Sequence, residues 1–324
     1  MYLIKKSDVL NLAKELSKEY QVFGPVIQKE TGQTFFDKVE DVSEISLSAP
    51  IPSVPPKHAV FPQLETIMKY KYSGESRKAE IETVFDTSSK ALFGLRACDL
   101  TGLQCLDRFF MGQEFVDEVY VNHRKRMFIV TNTCNVPFKN CFCVCTDSGP
   151  AAEEGYDLNL TDLGDHYLVE AGSEKGKAFA EKLSLEAAND SHLKQKKEVV
   201  DKSIASFETF ATDSKAWISR VMNRVTTGFI KEDVWNYIGD QCFECGACTF
   251  VCPSCSCFNI VDVANGETSH DRLRTWDSCS YEGYSRMAGG HNPRKPVEDR
   301  RNKRFFCKLS YSQMKKYLRP GCVG

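Results

Sequence analysis

Between Cys242 and Cys257 the chain reads C-F-E-C-G-A-C-T-F-V-C-P-S-C-S-C, and no other stretch limits its fold so tightly. Cys242, Cys245 and Cys248 are each separated by two residues, Cys252 follows after three more, and Pro253 closes the run. Three thiolates at that spacing, on a looping backbone, wrap one face of a four-iron, four-sulfide cubane, while the fourth points out of the wrap. Gly246, between two of the ligands, lets the backbone approach inorganic sulfide with no Cβ in the way. A zinc ribbon is the alternative. Zinc takes two C-x2-C pairs across a longer loop, and one tight run ending in C-P fits that poorly.

In two-cluster ferredoxins the fourth cysteine of each run serves the other cluster, so one run predicts a second. The chain finishes R-P-G-C-V-G, with Cys322 placed as the opening of that second run. The expectation is therefore a native polypeptide that continues past Gly324, with Cys252 and Cys322 as exchanged ligands. The alternative makes Cys322 an ordinary terminal thiol and Cys252 the fourth ligand of a single cluster. The long stretch between Cys252 and Cys322 suits a helical two-cluster domain with its runs far apart.

At 324 residues the chain can bury a sizeable core, most simply as two domains. Lysine and arginine number 42 against 44 acidic residues, and the net charge of -2 gives no electrostatic case for nucleic acid or an anionic membrane. The N-terminus has no long apolar core, and no stretch approaches the ~20 apolar residues of a membrane span. A cytosolic protein without direct membrane insertion is expected. Fifteen cysteines in a reducing compartment favour metal ligation over disulfides.

The expected fold class is α+β: a mixed α/β domain over residues 1–200, a helical connector over 201–234, and a ferredoxin-like domain of the two-cluster type over 235–324, cut short at its second cluster. Ser7-Asp8 is placed to cap a helix through Val9, Leu12, Ala13 and Leu16. Residues 20–23 and 44–47 read as strands, and the prolines from Pro50 to Pro56 as an extended surface segment without chemistry of its own. Leu183, Leu185, Ala187 and Leu193 are spaced for amphipathic helices. Lys90–Leu95 and Met127–Val130 read as buried strands. Asp99 is expected to cap the helix after the first, which puts Cys98 at a strand-to-helix turn, where open α/β sheets place functional groups. Cys134 follows the second strand, and Cys141, Cys143 and Cys145 share a loop. Buried free thiols, zinc and a further cluster all remain readings of this group. His291, beside Asn292-Pro293, reads as a turn histidine more readily than as a ligand.

Several of these segments together resemble a known family. They are Pro55-Pro56-Lys57 with Phe61-Pro62-Gln63, Gly94–Leu100, Asn140–Cys143, Glu154–Leu158, Leu160–Leu163, the cysteine run, Trp276–Cys279 and Gly290–Arg294. The chain is similar to the iron–sulfur beta subunits of cytosolic sulfhydrogenases and related nickel–iron hydrogenases, and to the A subunit of anaerobic sulfite reductases. Where that family has proline before its first cysteine, Ala97 precedes Cys98. The resemblance implies one to three [4Fe-4S] clusters, and partners in the form of a flavin- and NAD(P)-binding subunit carrying FAD and a catalytic redox subunit. It also implies a metal site from Cys98, Cys134, Cys141 and Cys143. Cys255, Cys257 and Cys279 match the family too, either lining the clusters or forming a nonstandard site.

Three readings follow: a non-catalytic electron-transfer subunit, a stand-alone flavin- or substrate-binding iron–sulfur reductase, and a metal-sensing regulator. No Ser–His–Asp, paired-carboxylate or phosphate-loop constellation stands out, so no catalytic residue is assigned. No G-x-G-x-x-G follows an expected strand, which weighs against the second reading. The absence of any DNA-binding motif or basic face weighs against the third.

Overall fold

The computed structural model describes residues 1–73, 78–208 and 216–324. β1 (Tyr2–Lys5), α1 (Leu10–Leu16), β2 (Gln21–Ile27) and β3 (Thr34–Lys38) open an α/β layer. β4 (Leu64–Ser73) and β5 (Lys78–Thr83) leave it for a second sheet. The layer resumes with β6 (Lys90–Leu95), α2 (Ala97–Phe110), α3 (Glu118–Lys125) and β7 (Met127–Asn132). β8 (Leu158–Asp162), β9 (His166–Ala171), α4 (Glu174–Lys182) and β10 (Glu186–Ala187) complete it. The eight strands lie in the order β10-β1-β9-β8-β7-β6-β2-β3. The centre, β8-β7-β6-β2, is parallel and the flanks are antiparallel.

β6 and β7 are buried along their full length, because each sheet face carries its own core. Leu12, Leu16 and Ala180 pack Phe93, Phe128 and Val130 on one side. Leu100, Leu103, Leu106 and Phe110 pack Leu92, Leu95 and Ile129 on the other. This is why both strands read as near-continuous apolar runs rather than alternating ones. At Gly94, φ is +81° and the β6–β7 register shifts between Phe93 and Leu95. That bulge turns the chain into α2 and sets the position of Cys98.

Several local expectations give way to tertiary context. Ser7 and Asp8 lie in a short 3-10 turn that makes no side-chain cap to α1. The residue before α2 is Arg96, and Asp99 sits buried in the helix's first turn instead of capping it. Of the expected strand at 44–47, only one bridge, Ile45 to Val26, forms. Leu183 closes α4, while Ala187 belongs to the edge strand β10. The proline segment ends inward, with Pro55, Pro56 and Lys57 all buried.

After β10 the chain is helical, through α5 (Asp190–Ala205), α6 (Ala216–Thr227), α7 (Glu232–Asp240) and the one-turn α8 (Ala247–Phe250). It is then interrupted by a hairpin, β11 (Phe258–Ala264) and β12 (Ser269–Trp276), where only helices were expected. α9 (Val297–Leu309) and α10 (Tyr311–Tyr317) end the chain. The hairpin pairs with β4 to give the antiparallel sheet β11-β12-β4-β5, so the regions 1–200 and 235–324 share one sheet.

Arg274, 1% exposed, holds that joint. Its Nε and Nη2 donate to Glu65 Oε1 at 2.9 and 2.7 Å, and its Nη1 donates to Asp117. The guanidinium also lies over the rings of Phe61, Phe110 and Phe258. Burial alone would push the Glu65 carboxyl up, but the His123 hydrogen bond and the Arg274 charge outweigh it and hold it below the usual range. Removing one partner from such a site strands the others as buried charges. Arg274→Leu should therefore cost about 3–5 kcal/mol in denaturant unfolding; an unchanged midpoint would show that the sheet is held by other contacts.

Candidate functional site: three groups of thiols

α7 delivers the chain to the first group. Cys242, Cys245 and Cys248 line a cavity of about 310 Å³ together with Ser280 and Arg301. The loop is shaped by left-handed backbone at Glu244 (φ +55°) and Gly246 (φ +77°). A Cβ on Gly246 would stand 2.4 Å from the Tyr281 hydroxyl, which itself donates to the Cys245 carbonyl at 3.2 Å. Arg300, 2% exposed, ion-pairs with Glu244 at 2.8 Å and donates Nε to the Ser280 carbonyl, pinning the loop to the segment beyond β12.

The surroundings of these sulfurs fit an anionic cluster. The Glu244 N–H donates to Cys242 Sγ at 3.4 Å, and Arg301 Nη1 donates to Cys248 Sγ at 3.4 Å. Among the described residues Arg301 Nε and Nη2 are buried without a hydrogen-bond partner. Orphaned cationic donors beside three thiols suit sulfide and thiolate acceptors. Among the described residues, no three His, Cys, Asp or Glu side chains converge on one point as a single metal ion requires. Tetrahedral zinc holds its thiolates only about 3.8 Å apart. In an iron–sulfur cluster, inorganic sulfide fills most of each iron's coordination, so the protein ligands need not converge.

Cys252 does not line that cavity. Pro253 seats against α2 at Gly102, where a Cβ would come within 2.6 Å of the proline ring carbon. The Cys252 sulfur meets Cys255 and Ser254 Oγ. The Cys255 thiol, with Lys308 and Arg304 nearby, pulls Cys252 well below the usual thiol range, while Cys255 is pushed up. Ser254 donates to the Gly321 carbonyl at 2.6 Å, which draws Cys322 alongside. Cys242, Cys245 and Cys248 thus face one cavity and Cys252 lies outside it.

Lys57 was not among the expected site residues. It is 1% exposed, donates Nζ to the carbonyls of Thr249 (2.9 Å) and Cys255 (3.2 Å), and lies 4.2 Å from the Trp276 ring centre. Burial pushes its ammonium down to about 8, against the pull of Cys255 and Cys252. Its position in a proline-rich segment gave only one hint, the Pro-Pro-Lys of the family resemblance.

The third group lies where β6 and β7 end. Cys98 is in the first turn of α2, Cys134 follows β7, and Cys141 and Cys143 come from the loop beyond. Arg96 Nη1 donates to Cys134 Sγ at 3.0 Å. Cys98 lies within electrostatic reach of Cys134 and Cys143, and Cys143 of Cys134 and Cys141, although among the described residues no three of these thiols converge as a single metal ion requires. Burial pushes Cys98 well up and Cys143 up to about 12, so both are held as protonated thiols. Cys145 is buried in an apolar cluster with Phe207, Ile218 and Met222, against which Cys141 and Cys143 also pack. His291 is exposed, at a turn where its carbonyl accepts from the Met287 N–H.

Residues 319–324 link the second group, Cys252 with Cys322, to the third. Val323 is buried, and Gly324 lies so close to Cys143 that a Cβ on it would stand 2.3 Å from the cysteine Cα. Arg319 donates to the Thr146 carbonyl and to Ser148 Oγ.

Residues 241–324 match the family described as a 4Fe-4S dicluster domain. The chain therefore carries an iron–sulfur domain at its C-terminal end. Across nearly its full length it is similar to the sulfhydrogenase 2 subunit beta of Pyrococcus furiosus, with 29% identity over 317 residues, covering 97% of this chain and 89% of that one. No solved structure matches it. Among the described residues no helix is long and apolar enough to cross a membrane. For the first group, Gly246→Ala should lower iron and acid-labile sulfide about as much as Cys245→Ala, because the loop cannot close over Tyr281. Normal iron content in the glycine variant would show that the wrap tolerates another backbone path.

Proposed function

We propose that the chain is a one-electron relay in which Cys242, Cys245 and Cys248 hold one four-iron cluster and Cys252 and Cys322 contribute to a second. Cys98, Cys134, Cys141 and Cys143 hold a third metal site. The observation that carries this reading is the contiguity of the three thiol groups. Arg304 interacts with Cys248, Cys252 and Cys255 together, Cys322 interacts with Cys252, and Gly324 touches Cys143. Electrons entering at one end would cross the chain without leaving thiol-lined surroundings.

The likeness to a sulfhydrogenase subunit supports partners at both ends: a flavin- and NAD(P)-binding subunit, and a catalytic redox subunit. Iron–sulfur clusters pass single electrons and cannot accept a hydride, so a flavin must convert the two-electron nicotinamide chemistry to this wire. Cys245 is exposed, and Phe243 (95% exposed), Tyr237 and Val251 offer apolar contact area beside it. Cytoplasmic operation belongs to the same reading.

One observation favours the alternative of a flavin- or substrate-binding reductase. A crevice of about 770 Å³ opens at the C-terminal ends of β6 and β7, lined by Arg96, Asn132, Cys134, Asn135 and Lys139. That volume is within the ordinary range for a small-molecule site, at the sheet edge where such sites form.

Reconstituted alone, the chain should be reduced by dithionite but oxidise neither NADH nor NADPH, and a flavoprotein partner should restore nicotinamide-driven reduction. Rapid NADH oxidation by the flavin-free chain would overturn the relay. Retention of stoichiometric flavin, lost on Asn132→Leu, would establish the alternative. For the third group, Cys98→Ser/Cys134→Ser should lower metal content while leaving the signal of the Cys245 cluster intact; unchanged metal in the folded variant would leave those thiols without a cofactor.

A further inference from the structure

The sheet β11-β12-β4-β5 ends on one side at β11, and among the described residues no strand pairs with its outer edge. The Asn265 N–H donates to the Ser269 carbonyl and the Asp277 N–H to the Cys257 carbonyl. In the β11–β12 register this makes Asn259, Val261 and Val263 the residues that exchange backbone bonds with β12. Ile260, Asp262 and Ala264 therefore direct their N–H and C=O groups away from the sheet. Asn259 Oδ1 accepts from the Ile260 N–H at 2.9 Å, and among the described residues the other two outward N–H groups bond nothing. Ile260, Val261 and Val263 are all exposed. An open edge that carries exposed β-branched side chains is a template for another strand.

The two edges of this sheet differ in charge. β5 is exposed throughout and carries Glu80 and Glu82. Two copies of it paired about Glu80, Ile81 or Glu82 would set these acids against one another. β11 carries one charge, Asp262, and Arg272 of the neighbouring strand neutralises it through Nε and Nη2 at 2.7 and 2.8 Å. An antiparallel partner must set its own outward-directed residues opposite those of β11. A second β11 centred on Val261 does so. Ile260 then faces Asp262, Val261 faces its symmetry mate, and Val263 faces Asn259. No like charges meet, whereas centring on Asp262 would bring two carboxylates together.

We propose that β11 is a docking strand for a second copy of this chain, paired antiparallel about a two-fold axis at Val261. The contact joins two four-stranded sheets into one. It is closed, because each copy uses the same strand, and the acid-guarded β5 edges end the joined sheet. No cysteine lies on β11, so the contact stands or falls apart from the electron-relay reading.

The test is the oligomeric state of the full chain by sedimentation equilibrium, where the wild type should form a dimer. Val261→Glu and Val261→Lys each set like charges across the axis and should weaken self-association by about tenfold or more. An equimolar mixture of the two should regain it, since Glu then faces Lys. Val261 is exposed, so neither charge has to be buried for the single chain to fold. Should either variant misfold, Asp262→Pro removes an outward N–H while leaving the bonds to β12 in place, and it too should yield a monomer. A wild type that stays monomeric at every concentration would overturn the proposal. So would a dimer that the variants leave unchanged, or charge variants that do not pair on mixing. Loss of a different polypeptide from a monomeric wild type on Val261→Glu would assign the edge to a foreign strand and overturn it as well.

Discussion

Basic side chains directed at sulfur rather than at carboxylates are the constraint from which the C-terminal half of this structure follows. Arg301 donates to Cys248, Arg304 and Lys308 to Cys255, and Lys57 to the backbone on either side of Cys252. Burying that much positive charge is tolerable only where negative charge is held nearby. α9 supplies three of the four residues, and its packing against α7 brings them over the cysteine loop. Charge, helix packing and loop conformation are thus set together.

The α/β layer contributes position more than chemistry. The two-sided core fixes the ends of β6 and β7, and these ends carry Cys98 and Cys134. One turn on from Cys98, Gly102 of α2 receives Pro253, so one helix touches two thiol groups. The Arg274 network then ties β12 to β4 and to the cap of α3, leaving little freedom for the cluster-bearing region to move relative to the sheet. The shared sheet thus fixes the C-terminal region against the α/β layer through backbone pairing of β12 with β4.

The same arrangement explains the spread of thiol character. Cys98, Cys141 and Cys143 are held protonated chiefly by burial. Cys279 is drawn down to about 6, chiefly by the Cys257 thiol and then by Arg304 and Arg301. The proton that Cys279 gives up is kept by Cys257, which is pushed up by the same contact.

The cysteine spacing from Cys242 to Pro253 by itself pointed to Cys242, Cys245 and Cys248 sharing one loop with Cys252 outside it, because residues so close in sequence are governed by local backbone geometry. The apolar runs at Lys90–Leu95 and Met127–Val130 likewise announced buried strands, since a strand covered on both faces must be apolar throughout. Only the tertiary structure decided that Asp99 is buried instead of capping, that β12 crosses to β4, and that Lys57 lies beneath Cys255. That Cys255, Cys257, Cys279 and Cys307 line one cavity belongs with these. Each depends on segments tens to hundreds of residues apart meeting in space, and neither spacing nor periodicity along the chain carries that information.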